Sequence, residues 1–146
     1  MARDRGARRG RPLRRRLRRD QRGAGAVEFA FIAPLAILIT LGAIETARAI
    51  SAQAAIDHAV KETVRFAAMR GTASGAEASE TQLEAMALDL ADLPSAATTA
   101  VASWNPDNSP GGIVTVTVQH TFSPVTIPFQ SDSFTFNATA SMTIVR

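Results

Sequence analysis

The chain has no cysteine, which excludes disulfide staples, thiolate metal sites and thiol catalysis, so the folded part is held by packing alone. Its two histidines, His58 and His120, do not stand at the spacing of metal ligands. The acidic residues show no repeated i,i+3 or i,i+4 His/carboxylate pattern, and no glycine-rich phosphate loop opens a helix after a strand. No catalytic, metal or cofactor-binding residues are therefore expected, and the chain does not read as an enzyme. The first 22 residues lack lysine and aromatics; nothing there stacks on bases, and no nucleic-acid partner is expected. Charge is absent from Phe29 to Ile44, and the twenty-one residues from Ala24 to Ile44 contain only Glu28.

What is present is a steep charge asymmetry around that apolar run. Residues 1–22 carry eleven Arg against Asp4 and Asp20, a net of +9, whereas the rest of the chain nets −6. As a helix rising about 1.5 Å per residue, Ala24–Ile44 extends roughly 31 Å, close to the hydrocarbon thickness of a bilayer. A dense Arg tail directly before a span holds that end in the cytoplasm, with some attraction to anionic lipid, and leaves the remaining hundred or so residues outside. Pro34 lies inside the run and predicts a kink, because it removes one backbone hydrogen bond and crowds the preceding turn.

Beyond Ile44 the pattern becomes amphipathic. Ala49, Ala52, Ile56, Ala59, Val60, Thr63 and Ala67 share one helical face with Val64 and Phe66 at its edges, while Asp57, Lys61, Glu62 and Arg65 gather on the other side. No Gly or Pro interrupts Glu45–Arg70, so one long helix is expected, ending at Gly71 as a C-cap. Ser79 with Gln82, or Thr81 with Glu84, can cap a second helix that Pro94 must stop. The period then changes to two: Val114, Val116, Val118, His120 and Phe122 alternate with polar residues, as do Phe134, Phe136, Ala138, Ala140, Met142 and Ile144. The expected architecture is α+β, an N-terminal transmembrane helix continuing into an amphipathic helix packed on a small C-terminal antiparallel sheet. Its expected divisions are an Arg-rich cytoplasmic leader at 1–22, the span at 23–45, the amphipathic helix at 46–70 and an extracytoplasmic α/β domain at 71–146. Within that domain the helix is placed at 80–93 and strands at about 98–104, 113–122 and 133–145. Asn137-Ala138-Thr139 fits an N-glycosylation acceptor, but Ala138 also fits its strand, and the tripeptide reads as structural.

Glu28 is the residue that composition leaves unexplained. A carboxylate inside a span costs about 2.5 to 3.5 kcal/mol at the bilayer centre and less near an interface; the positive end of the helix dipole offers one reason to keep it. Spacing offers another. If the chain is cut after Gly23, the new amine belongs to Ala24 and Glu28 becomes the fifth residue, one helical turn away.

Arg22-Gly23-Ala24, Ala26-Val27-Glu28-Phe29-Ala30, Pro34, Gly42, Glu45, Arg48-Ala49 and Lys61-Glu62-Thr63-Val64-Arg65-Phe66-Ala67-Ala68 resemble the TadE-like family, pilin-like proteins of the tight-adherence (Flp-type) pilus machinery. The resemblance covers roughly residues 22–68. It implies a pilin-like fold, a single-pass location in the bacterial cytoplasmic membrane, and processing by a prepilin peptidase that cuts between Gly23 and Ala24. It further implies that Glu28 is the assembly carboxylate, and that the partners are other pilus or pseudopilin subunits and inner-membrane lipid. Thr46-Ala47 replaces the Phe-Gly often found in the family, and Thr63 a frequent Gly. A rival processing site, Ala47-Arg48-Ala49, suits signal peptidase, but its presegment exceeds the usual length of about 15–30 residues. An exported or membrane-anchored binding module is the alternative function.

Overall fold

A computed structural model describes the backbone of residues 14–125 and 132–145, with side chains from Gly23 onward. Most of the Arg-rich leader and the middle of the connection between the last two strands lie outside the described residues. The elements run α1 (Arg14–Ala68), a 3-10 turn at Thr72–Ser74, α2 (Glu80–Ala91), a second 3-10 turn at Ser95–Ala97, then β1 (Thr98–Asn105), β2 (Ile113–Phe122) and β3 (Phe134–Thr143). The chain divides into two compact units, Met1–Thr40 and Leu41–Arg146.

The first unit contributes the apolar part of α1. Phe29, Phe31, Ile32, Leu35, Ile37, Leu38 and Ile39 are all exposed, and the most apolar window of the helix is not buried against protein at all. A soluble helix hides such a stripe in a core; here every side of the helix presents hydrocarbon, as a lipid-facing span does. Helical structure continues through Pro34. Thr40 returns its hydroxyl to the Ala36 carbonyl at 2.8 Å, which satisfies within the helix a polar group that hydrocarbon could not.

The second unit is a three-stranded antiparallel meander in the order β1-β2-β3, covered on one face by the later part of α1 and by α2. Cross-strand rows run Ala100–Val118–Ala138 and Ala102–Val116–Ala140 on the covered face. They meet Ile56, Ala59, Val60, Val64, Ala67 and Ala68 of α1 and Leu83, Ala87 and Ala91 of α2 in one core. Small residues on the outer two strands let the helices approach while valines fill the centre; each buried Val, Leu or Ile contributes about 1.5 to 3 kcal/mol. Thr63 is fully buried in this core with a hydroxyl that has no hydrogen-bond partner among the described residues. On the opposite face the rows are uncharged and mostly polar, Thr99–Gln119–Asn137 and Ser103–Thr115–Ser141 among them, with Val101 and Ile113 as exposed apolar residues and a Thr117–Thr139 hydroxyl contact of 3.0 Å. Asn137 lies on this exposed face.

Two helix ends differ from expectation. α1 stops at Ala68 rather than at a glycine C-cap, and Gly71 has extended backbone (φ −77°, ψ −177°) and precedes the 3-10 turn. Tertiary bonds replace the cap: Val145 N–H donates to the Ala68 carbonyl at 2.9 Å and Ala78 N–H to the Arg70 carbonyl at 2.9 Å, so orphan carbonyls find partners without a left-handed residue. Ser79 does cap α2, accepting from Gln82 N–H at 3.2 Å. The helix closes at Ala91, with Asp92 in the left-handed region at φ 48°. Pro94 disfavours helical backbone at Leu93, which ends the helix before the expected residue 93.

The β1–β2 turn needs its glycines. Gly111 has φ +93°, and a Cβ on Gly112 would meet the Asp107 carbonyl oxygen at 2.4 Å. Asp107 organises the turn by accepting from Ser109 N–H at 3.0 Å and from the Ser109 hydroxyl, the Asx geometry that favours Asp there.

Candidate functional site

Glu45 is the charged residue that follows the apolar run, and it is buried, with 4 % exposure. Stepping back along the α1 core stripe from Ile56 through Ala52 and Ala49 reaches this position, so helical geometry carries it onto the covered face. Arg48, one turn later, donates Nη1 to both carboxylate oxygens at 3.1 and 2.9 Å. From the start of the β2–β3 connection, Val125 N–H donates to Glu45 Oε1 at 3.0 Å. Charge-assisted bonds of this kind offset the cost of removing a carboxylate from water. The Arg48 side chain stays 47 % exposed, and its guanidinium lies 5.5 Å from the centre of the Phe122 ring, a cation–π contact. Glu45 thus joins the helix to the sheet at the point where the apolar run ends.

Glu45→Ala is expected to cost about 1–3 kcal/mol, because a backbone N–H loses its acceptor while the exposed Arg48 simply re-solvates. Amide exchange at Val125 in detergent-solubilised protein should accelerate, less so in Glu45→Gln, which keeps a carbonyl oxygen. Unchanged exchange in Glu45→Ala would contradict this role.

Beside this junction a shallow cleft of about 370 Å³ is lined by Arg48, Ser51, Leu93, His120, Phe122 and Ser123, among others. His120 is buried and its Nδ1 lies 2.9 Å from Thr98 Oγ1. The Thr98 hydroxyl donates its single proton to the Pro94 carbonyl at 2.9 Å, so Nδ1 is the donor and Thr98 the acceptor. The imidazole therefore fastens the β1–β2 pair to the turn after α2. Among the described residues no cluster of three or more His, Asp or Glu could hold a metal, and no carboxylate orients His120 as a base.

The residues expected to undergo processing lie on the first unit. Gly23 and Ala24 are exposed and within α1, and nothing lies within 4 Å of where a Gly23 side chain would begin. Glu28 is exposed on the same helix and, among the described residues, makes no hydrogen bond or ion pair. Pro34 lies in the same exposed segment. These four are legible in the sequence, whereas the tertiary role of Glu45 is not; its signals there are its place one turn before the stripe that begins at Ala49 and its place among the family-like residues.

Residues 23–65 match the family model described as TadE-like protein. No curated protein and no solved structure matches the chain. The matched stretch, under a third of the 146 residues, supports broad TadE-like family membership. It begins at Gly23, covers the apolar part of α1 and includes Glu45, Arg48 and most of the core stripe. Together with one apolar helix able to cross a bilayer and the small sheet, it supports a single-pass membrane protein of pilin-like plan.

Proposed function

We propose that this chain is a membrane-anchored, pilin-like subunit or assembly factor of a Flp-type, tight-adherence pilus. Its N-terminus faces the cytoplasm and its α/β domain lies outside the bacterial cytoplasmic membrane. A prepilin peptidase removes the Arg-rich leader after Gly23, and Glu28 then compensates the new Ala24 amine, its own or that of a neighbouring subunit, during assembly. The observation that carries this reading is the TadE-like match starting at Gly23, on a helix whose carboxylate at Glu28 has no partner among the described residues. Pro34 kinks the span within the membrane.

The test is the intact mass of the mature protein from the membrane fraction. A chain beginning at Ala24 supports the proposal; one beginning at Met1 or at Ile50 overturns the cleavage step. A start at Ile50 would also remove Glu45, whose carboxylate accepts from Val125 N–H. For topology, a reporter fused after Arg146 should work only outside the cytoplasm, and replacing most of the eleven leader Arg with Gln should weaken that orientation.

A further inference from the structure

The end of the sheet beside Glu45 exposes apolar side chains that the core does not use. Val125 is 76 % exposed and Phe134 47 %. Phe134 pairs across the strands with Phe122, the ring against which Arg48 packs. Val125 is fastened to Glu45 through its backbone. Both side chains are thereby held near the first turn of α1 beyond the apolar run, where Ile44 and Ile50 are also exposed.

That level has a physical meaning if Ala24–Ile44 crosses the bilayer, the part of the proposed function on which this inference rests. Arg48 and Ile50 follow Glu45 by about 4.5 and 7.5 Å of helix. The headgroup layer on each side of the hydrocarbon is roughly 5–8 Å deep, so the same layer receives the Val125 and Phe134 end of the sheet. We infer that this end is a lipid-contacting surface, with Val125 and Phe134 seated at the boundary between headgroups and acyl chains of the membrane that α1 crosses. Within its own unit the surface adjoins Ile44 and Glu45, where the apolar run ends, and lipid is the occupant for that reason.

Charge fits the same occupant. Glu45 and Arg48 are paired with each other, so the junction presents no uncompensated buried charge to the membrane. Asp132 is exposed two residues before Phe134, which suits the wet headgroup zone and argues against attraction to anionic lipid. Attachment is therefore apolar and requires only zwitterionic lipid.

The chain supplies its own control. Trp104, its single tryptophan, pairs with Val114, eight residues along β2 from Phe122 and hence about 26 Å from that end of the strand. The full chain is reconstituted in phosphatidylcholine vesicles, with and without lipids brominated either near the headgroup end or near the methyl end of the acyl chains. Four proteins are compared: native, and Trp104→Phe carrying Leu35→Trp, Val125→Trp or Phe134→Trp. Leu35 lies about midway along Ala24–Ile44, so methyl-end bromines should quench Leu35→Trp and headgroup-end bromines Val125→Trp and Phe134→Trp, both leaving native Trp104 emission unchanged and both acting equally at high salt. Quenching of Leu35→Trp without quenching of either rim position would overturn the lipid surface while leaving the span intact. A rim tryptophan shifted to shorter wavelength only at high protein-to-lipid ratio, and not quenched, would show a second copy there and overturn it too. An unquenched Leu35→Trp would remove the span and, with it, the inference. Quenching of Trp104 together with the rim would overturn the assignment of one end.

Discussion

Gly23→Leu is expected to leave the protein at its precursor mass, Arg-rich leader attached, and to abolish its assembly into a pilus while it still inserts in the membrane. A peptidase that accepts glycine before the cut has no room for a branched side chain, and under the proposed function a retained leader keeps a dense positive charge where the Ala24 amine alone would stand. Glu28→Gln separates the two effects. It should be cleaved normally and insert at least as well, since it removes a charge from the edge of the bilayer, but it leaves the freed amine without a counter-charge. Assembly should fall at unchanged membrane abundance. Mass spectrometry of the membrane fraction and quantification of surface pili distinguish the outcomes. Normal piliation of the Glu28→Gln strain would reduce Glu28 to an interfacial residue favoured by the helix dipole, and normal maturation of Gly23→Leu would remove the peptidase step.

Ile56→Asp carries the largest expected effect on stability. Ile56 is fully buried and central to the contact between α1, α2 and the sheet. Truncation to Ala should cost about 2–5 kcal/mol through lost transfer energy and the cavity left behind. Aspartate adds a carboxylate with no partner in an apolar site, and the sum approaches the whole stability of a domain this size, about 5–15 kcal/mol. The test is best made on a soluble fragment. A start at Gln53 removes the span but also discards Ala52 and Glu45, both buried against the rest of the domain; a start at Glu45 keeps the Glu45–Val125 bond. In that fragment Ile56→Asp should abolish the cooperative thermal transition and Ile56→Ala should lower its midpoint. A cooperative melt of Ile56→Asp near the wild-type temperature would show that the helix stripe is not what holds the sheet.

The match starting at Gly23 and the buried Glu45 bear on different questions. In the proposed function residues 23–28 govern processing and assembly, which the folded domain does not address. Glu45 joins α1 to the β2–β3 connection. Both fall inside the TadE-like stretch, whereas the sheet and α2, which give the domain its own surfaces, lie beyond it.

Periodicity made the α+β plan legible. The twenty-one-residue run, the i,i+3/i+4 stripe from Ala49 to Ala67 and the period-two runs around Val116 and Ala138 each repeat one local preference often enough to outweigh chance. The covered face of each element follows from the same repeats, because a side chain's direction is set by its place in a helix or strand. Helix ends were less legible. At Ala68 the closing partner is Val145, seventy-seven residues later, and no local signal announces it. The same limit hid Glu45. Alone it reads as the polar boundary of a span, and it becomes a structural anchor only when the β2–β3 connection returns to place Val125 N–H against it. His120 reads as a lone histidine on a strand until β1 brings Thr98 beside it. Which stretches are apolar, which are amphipathic and where the period changes follow from local order along the chain, since these depend on neighbours a few residues apart. Tertiary structure decided which polar groups are buried and what satisfies them, since those partners are brought together only by strand pairing and by the packing of α1 and α2 on the sheet.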